Sequence, residues 1–142
     1  APMWWILLGC ATKMMDSPFM MAQERQGLAA SAQDYWVFVR WGEANRAGRY
    51  LESPLHRAAL ASFVAEPPWR FSNVEILQTD VGTVLDKEER PRTREGTVMV
   101  RIEYYNERIG NVEKTTFEQA WIKEYGRWVV DGTVPWGPGQ LW

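Results

Sequence analysis

The sequence predicts an α+β domain in which amino-terminal helices pack on a curved antiparallel sheet. Two observations carry that expectation. Between Leu28 and Val64 the apolar residues recur every three or four positions, the period of an amphipathic helix. From Phe71 onward the period falls to two, the alternation of half-buried strands. Helices followed by a run of strands, with no repeat and no internal boundary, belong to the α+β class. The 142 residues fit one domain with a real core, and 46% hydrophobic against 24% charged residues is an ordinary globular mixture.

The elements follow in order. Residues 1–27 read as an amino-terminal anchor and tether, with Thr12 to Gln26 polar, methionine-rich and weakly periodic, and Asp16-Ser17-Pro18 a turn or helix-start signal. The spacing of Leu28, Ala32, Tyr35, Trp36, Val39 and Glu43 predicts a first helix over Leu28 to Arg46, closed by Ala47-Gly48-Arg49 with Gly48 as a left-handed cap. Ser53 as N-cap and Pro54 at the first helical position start a second helix, whose stripe is Leu55, Ala59, Leu60, Phe63 and Val64 and which Pro67-Pro68 stops. A long strand runs from Phe71 to about Val84, and Asp86 to Glu95 is a charged turn. Val98, Val100, Ile102 and Tyr104 define one face of a second strand. Asn106 to Asn111 is a turn carrying Gly110. Thr115 to Glu124 is a third strand, with Phe117 and Trp121 on one face. Tyr125-Gly126-Arg127 turns the chain into a last short strand, Trp128-Val129-Val130. The domain therefore spans 28–134, and 135–142, with Pro135-Trp136-Gly137-Pro138-Gly139, is an irregular tail. Trp36, Phe63, Phe117 and Trp121 are the expected core.

The amino end carries a distinct signal. The apolar run Met3 to Leu8 is far shorter than the ~20 residues of a membrane helix. With no basic region before it, it reads as the end of a signal sequence. Leu7-Leu8-Gly9-Cys10 resembles the lipobox of bacterial lipoproteins, in which the cysteine is acylated and becomes the new amino end. That resemblance implies lipidation at Cys10, a membrane attached through the lipid anchor, and a place in the bacterial cell envelope. Ala11 after the cysteine, where aspartate commonly signals inner-membrane retention, implies the periplasmic face of the outer membrane. The alternative is a buried cysteine in a short apolar arm.

A second resemblance concerns the domain. Tyr35-Trp36 in a long helix, then Ala47-Gly48-Arg49-Tyr50-Leu51 and Ser53-Pro54-Leu55-His56-Arg57, resemble the opening of nuclear transport factor 2-like domains. Glu124-Tyr125-Gly126-Arg127-Trp128-Val129-Val130-Asp131 resembles their closing hairpin. The resemblance covers about Leu28 to Asp131 and departs at Ala44-Asn45-Arg46-Ala47-Gly48, where these domains often have Gly-Asp. It implies a cone with a pocket between sheet and helices, a fold that hosts isomerases, cyclases and dehydratases as well as non-catalytic modules, so fold alone leaves function open.

Composition narrows the chemistry. One cysteine and one histidine exclude an intrachain disulfide framework and a multi-histidine metal site. The net charge of -2 argues against nucleic acid, and the arginines of the 86–95 segment are diluted by neighbouring acids. No phosphate-binding glycine loop and no nucleophile elbow is present, and no cofactor is expected. The pocket candidates are Asp34, Tyr35, His56, Tyr104 and Trp121. His56 and Asp34 are acid–base candidates that equally fit solvated helix positions, and Tyr104 fits a core residue with its hydroxyl at the rim. Trp4, Trp5, Trp136 and Trp142 near the ends suit a membrane interface or a partner surface, or packing over a sheet edge. No two titratable groups are spaced to cooperate, so no catalytic residue is assigned. The expected function is a non-enzymatic envelope binding or assembly module with a protein partner, a homodimer being a further option. The alternatives are a small-molecule-binding protein or lyase- or isomerase-like enzyme using the cone pocket, and a periplasmic subunit of a secretion or conjugation machine. A pocket plugged by Trp and Phe favours the module; an unpaired buried acid, histidine or tyrosine facing a cavity favours the enzyme.

Overall fold

The computed structural model describes residues 18–65, 69–85, 88, 91–108 and 110–131. Helix α1 spans Pro18–Arg40, a short α2 Ala44–Ala47, and α3 Pro54–Ala65. The strands are β1 Trp69–Leu85, β2 Pro91–Asn106, β3 Val112–Glu124 and β4 Arg127–Val130. They form one antiparallel meander in the order β1-β2-β3-β4, with the helices on one face: the α+β class expected. No described helix is long and apolar enough to cross a membrane.

Helix α1 begins ten residues before the expected start, so part of the expected tether is helix. Pro18 suits a first helical position, where its missing N–H costs nothing. The helix ends at Arg40 rather than Arg46. Gly42 takes φ +75°, its N–H bonds Val39 O at 3.2 Å, and the Glu43 N–H bonds Phe38 O at 2.8 Å. Those two bonds are a Schellman closure with glycine at the left-handed position. The sequence reading gave that role to Gly48, which instead is right-handed helical at φ -60°. A 3-10 turn, Gly48–Tyr50, follows α2. Leu51 then forms a parallel bridge with Val130, drawing this segment across the outer edge of β4.

In α1 the stripe Leu28, Ala32, Tyr35, Trp36 and Val39 is buried as its spacing requires. In α3 only part of the expected stripe is: Leu60 is fully buried, whereas Leu55 is 80% exposed in the first turn. Phe63 is half-buried and stacks on Phe71 at 5.8 Å, at the margin of the core rather than inside it. Phe117 is likewise partly buried against the core, while Trp36 and Trp121 lie within it.

The sheet curves over α1. Register shifts between Phe71 and Asn73 and between Ile76 and Gln78 place an extra residue at Ser72 and Leu77, and such bulges bend a strand. The charged turn is shorter than expected, since β1 continues to Leu85 and β2 starts at Pro91. Tyr125 and Gly126 both have positive φ, so the last hairpin closes in two residues. On β2, Val98, Val100, Ile102 and Tyr104 face the helix, as alternation predicts.

Two contacts seat the amino-terminal half of α1. Lys123 Nζ reaches both carboxylate oxygens of Glu24, at 2.8 and 2.9 Å, and Arg94 Nε lies 3.8 Å from the same group. One turn on, Leu28 lies over Gly96 of β2. A β-carbon at position 96 would stand 2.4 Å from Leu28 Cδ2 and 3.3 Å from Trp128 Cζ3. Leu28 and Trp128 are both buried, so neither has free space to retreat into. Gly96→Ala is therefore expected to destabilise the fold by about 1–3 kcal/mol, the usual cost of overpacking. Urea unfolding measures it, and an unchanged midpoint would show that α1 stands further from the sheet.

Candidate functional site

Alternation along β3 places Phe117, Gln119 and Trp121 on the face towards α1. Gln119 is the one polar side chain fully buried among the described residues. Its Oε1 accepts two indole hydrogens, from Trp36 Nε1 of α1 and Trp121 Nε1 of β3, each at 3.0 Å. The rings around this centre meet edge to face. Tyr35 lies 5.2 Å from Trp36, 5.9 Å from Trp121 and 6.2 Å from Tyr50. Trp36 also meets Phe117 at 5.8 Å and Phe71 at 6.3 Å. The space between helix and sheet is thus filled with aromatic rings. Gln119 Nε2 and the Tyr35 hydroxyl are buried in it without a hydrogen-bond partner among the described atoms.

The five pocket candidates do not converge. Tyr35 and Trp121 touch each other inside the core, and burial pushes the Tyr35 phenol far above its ordinary range. Such a group stays neutral, and no described groove has it in its wall. Asp34, next in sequence, is exposed. His56 is half-buried in the first turn of α3, where its backbone N–H meets the Ser53 hydroxyl at 3.4 Å, an N-cap contact. Tyr104 is buried, with its hydroxyl donating to Glu113 Oε2 at 2.9 Å. Burial and that bond raise its pKa. A general base has to reach its substrate. Of these groups Asp34 is open to water and His56 partly so, Tyr35 is packed away, and the Tyr104 hydroxyl is engaged by the exposed Glu113. Cys10 and the terminal tryptophans lie outside the described residues. Among the described residues no group of three or more His, Cys, Asp or Glu could hold a metal.

The open surface features are grooves of mixed polar and apolar lining. One, about 590 Å³, runs between α1 and the β3–β4 turn. Arg46, Arg49, Lys123 and Arg127 line it, with Phe38, Tyr50 and Trp128 as its apolar floor. The guanidinium of Arg127 donates to the Arg49 carbonyl oxygen, tying the turn to the 3-10 segment. Burial and the negative charge of Asp34 raise the pKa of Tyr50, against the pull of Arg127 and Arg49. A second groove, about 450 Å³, lies at the carboxyl end of α1 between Trp41, Phe63 and Tyr105. None of this cationic lining was singled out from the sequence, because the four side chains come from three separate segments.

On the far side of the β3–β4 turn, Glu52 and Glu124 face each other in a groove of about 510 Å³. A hydrogen bond to Glu52 and the repulsion of Glu52 and Asp131 hold the Glu124 carboxyl above the usual carboxylate range. A paired carboxyl is an acid–base motif where it is desolvated, but Glu52 is exposed and the pair stands at the rim. Its effect is on stability. A carboxyl whose folded pKa is raised stabilises the fold below its unfolded pKa, and that contribution is lost as pH rises through the folded value. Glu124→Gln is therefore expected to raise the melting temperature at pH 7 and to give no gain near pH 4. An equal effect at both pH values in thermal melts would show that the two carboxyls do not share a proton.

Comparison with known proteins adds no relative: no protein-family model, no curated protein and no solved structure matches this chain.

Proposed function

We propose that this chain is a non-enzymatic cell-envelope domain of nuclear transport factor 2-like type, tethered by lipid at Cys10 and acting as a binding or assembly module. The observation that carries the reading is the filled interior. A fold that worked on a small molecule in a cone pocket needs an unoccupied space with a tuned group at its wall. Here Trp36, Trp121, Tyr35, Tyr50, Phe71 and Phe117 take up that space around Gln119. What is left for recognition is the surface, where the groove between α1 and the β3–β4 turn is lined with arginine and aromatic side chains. Those residue types are enriched at protein interfaces.

The anchor rests on Leu7-Leu8-Gly9-Cys10, with Cys10 the sole cysteine of the chain. Two or three acyl chains hold a protein stably on a bilayer where one does not. Seven residues, Ala11 to Ser17, separate Cys10 from Pro18. Fully extended they reach about 25 Å, so the amino end of α1 rides close to the membrane.

The test is the native protein in its own envelope. Intact-mass and peptide mass spectrometry are expected to show an amino terminus at Cys10 carrying diacylglycerol, and Cys10→Ser to move the protein into the soluble fraction. An unacylated chain that keeps Gly9 overturns the anchor.

A further inference from the structure

We infer that the groove between α1 and the β3–β4 turn binds an extended acidic peptide of a protein partner; the inference builds on the binding-module reading and gives the module its docking surface. Four cationic side chains line this groove against one carboxylate, Glu24. Glu24 is already engaged, with Lys123 on both oxygens and Arg94 behind it. The remaining positive charge falls on Arg46, Arg49 and Arg127, of which Arg49 and Arg127 also border the neighbouring groove that holds Glu52 and Glu124. Glu43 meets Arg46 at only 3.7 Å, with both side chains about half exposed, and such a contact contributes little. Asp34 does not line the groove, but its negative charge reaches Tyr50 in the groove floor. The arginines are also positioned. Arg46 lies 5.8 Å over the Phe38 ring, and Arg127 is pinned to the Arg49 carbonyl oxygen. A guanidinium held in place loses less freedom on meeting a carboxylate, and its planar fork matches that group in two bonds.

The shape favours an extended chain over a small ion. Along α1 the groove passes Gln23, Gly27, Ser31 and Phe38. That stretch of helix is about 22 Å long at 1.5 Å per residue. It accommodates six or seven residues of extended peptide at about 3.3 Å each. Gly27 and Ser31 keep the helix wall low. Phe38 and Tyr50, both partly exposed, give apolar surface for side chains between the carboxylates.

The experiment uses the full chain and a fluorescein-labelled heptaglutamate as probe, with heptalysine as control. Fluorescence anisotropy at low salt is expected to show saturable binding of heptaglutamate alone. The double variant Arg46→Glu/Arg49→Glu changes two exposed side chains outside the core and is expected to weaken binding at least tenfold. Amide shift mapping on the wild-type protein supplies an arm that does not depend on a variant folding. Shifts are expected at Gly27, Ser31, Tyr50 and Gly126. Unchanged affinity in the double variant overturns the inference, as do shifts centred elsewhere. Equal displacement by sodium phosphate at matched ionic strength would show a simple anion site instead of a peptide groove. If the double variant still captures an acidic native partner, the groove is wrong while the binding-module reading stands.

Discussion

One oxygen atom organises this protein. Gln119 Oε1 accepts the indole hydrogens of Trp36 and Trp121 at the centre of the interface between α1 and β3. Each bond contributes about 0.5–1.5 kcal/mol net, but a buried indole N–H left without an acceptor costs about 1–3 kcal/mol. The asymmetry is what fixes the structure. Sliding α1 by one turn would strand the Trp36 N–H, and shifting β3 by one residue would turn Gln119 out and put the charged Glu118 or the apolar Ala120 in its place. The amide also selects ring orientation. With both indole N–H groups directed at one point, the surrounding rings pack edge to face.

The other attachments of α1 depend on that register. Glu24 meets Lys123 and Arg94 three turns before Trp36, and Arg40 donates to the Ser72 carbonyl at 2.9 Å one turn after it. Leu28 over Gly96 fits between them. The helix is thus held at its amino end by charge, in the middle by a shared acceptor, and at its carboxyl end by a guanidinium on a bulged strand. The interior of this interface is filled, and the arginines lie at its rim. There the 3-10 segment and the β3–β4 turn bring Arg49 and Arg127 together, although 78 residues separate them in sequence.

Much of the fold was legible in the sequence, because burial imposes a period. The α1 stripe, the inward face of β2 and the face of β3 that holds Trp121 all follow from spacing. The boundaries were harder to read. Pro18–Gln26 lacks a continuous apolar stripe because its partners on the sheet are Lys123 and Arg94, so an ion pair does the work that apolar spacing usually signals. Gly42 and Gly48 are both plausible terminators, and only backbone geometry separates them. The candidate site was less legible. Gln119 was not singled out, although alternation between Phe117 and Trp121 puts it on their face, and a polar residue at a core position is the signal that could have found it. The arginine groove left no such mark, since its members come from three separate segments.

The central claim is that the space between helix and sheet is closed around Gln119. Hydrogen exchange of the Trp36 and Trp121 indole N–H groups tests it most directly, followed by NMR with each signal assigned through its Trp→Phe variant. Both protons are expected to exchange only through global unfolding, at rates matching the slowest backbone amides of β2 and β3. Exchange of either indole on the timescale of surface tryptophans, with the fold intact, would contradict a filled interior and return the cone pocket to consideration.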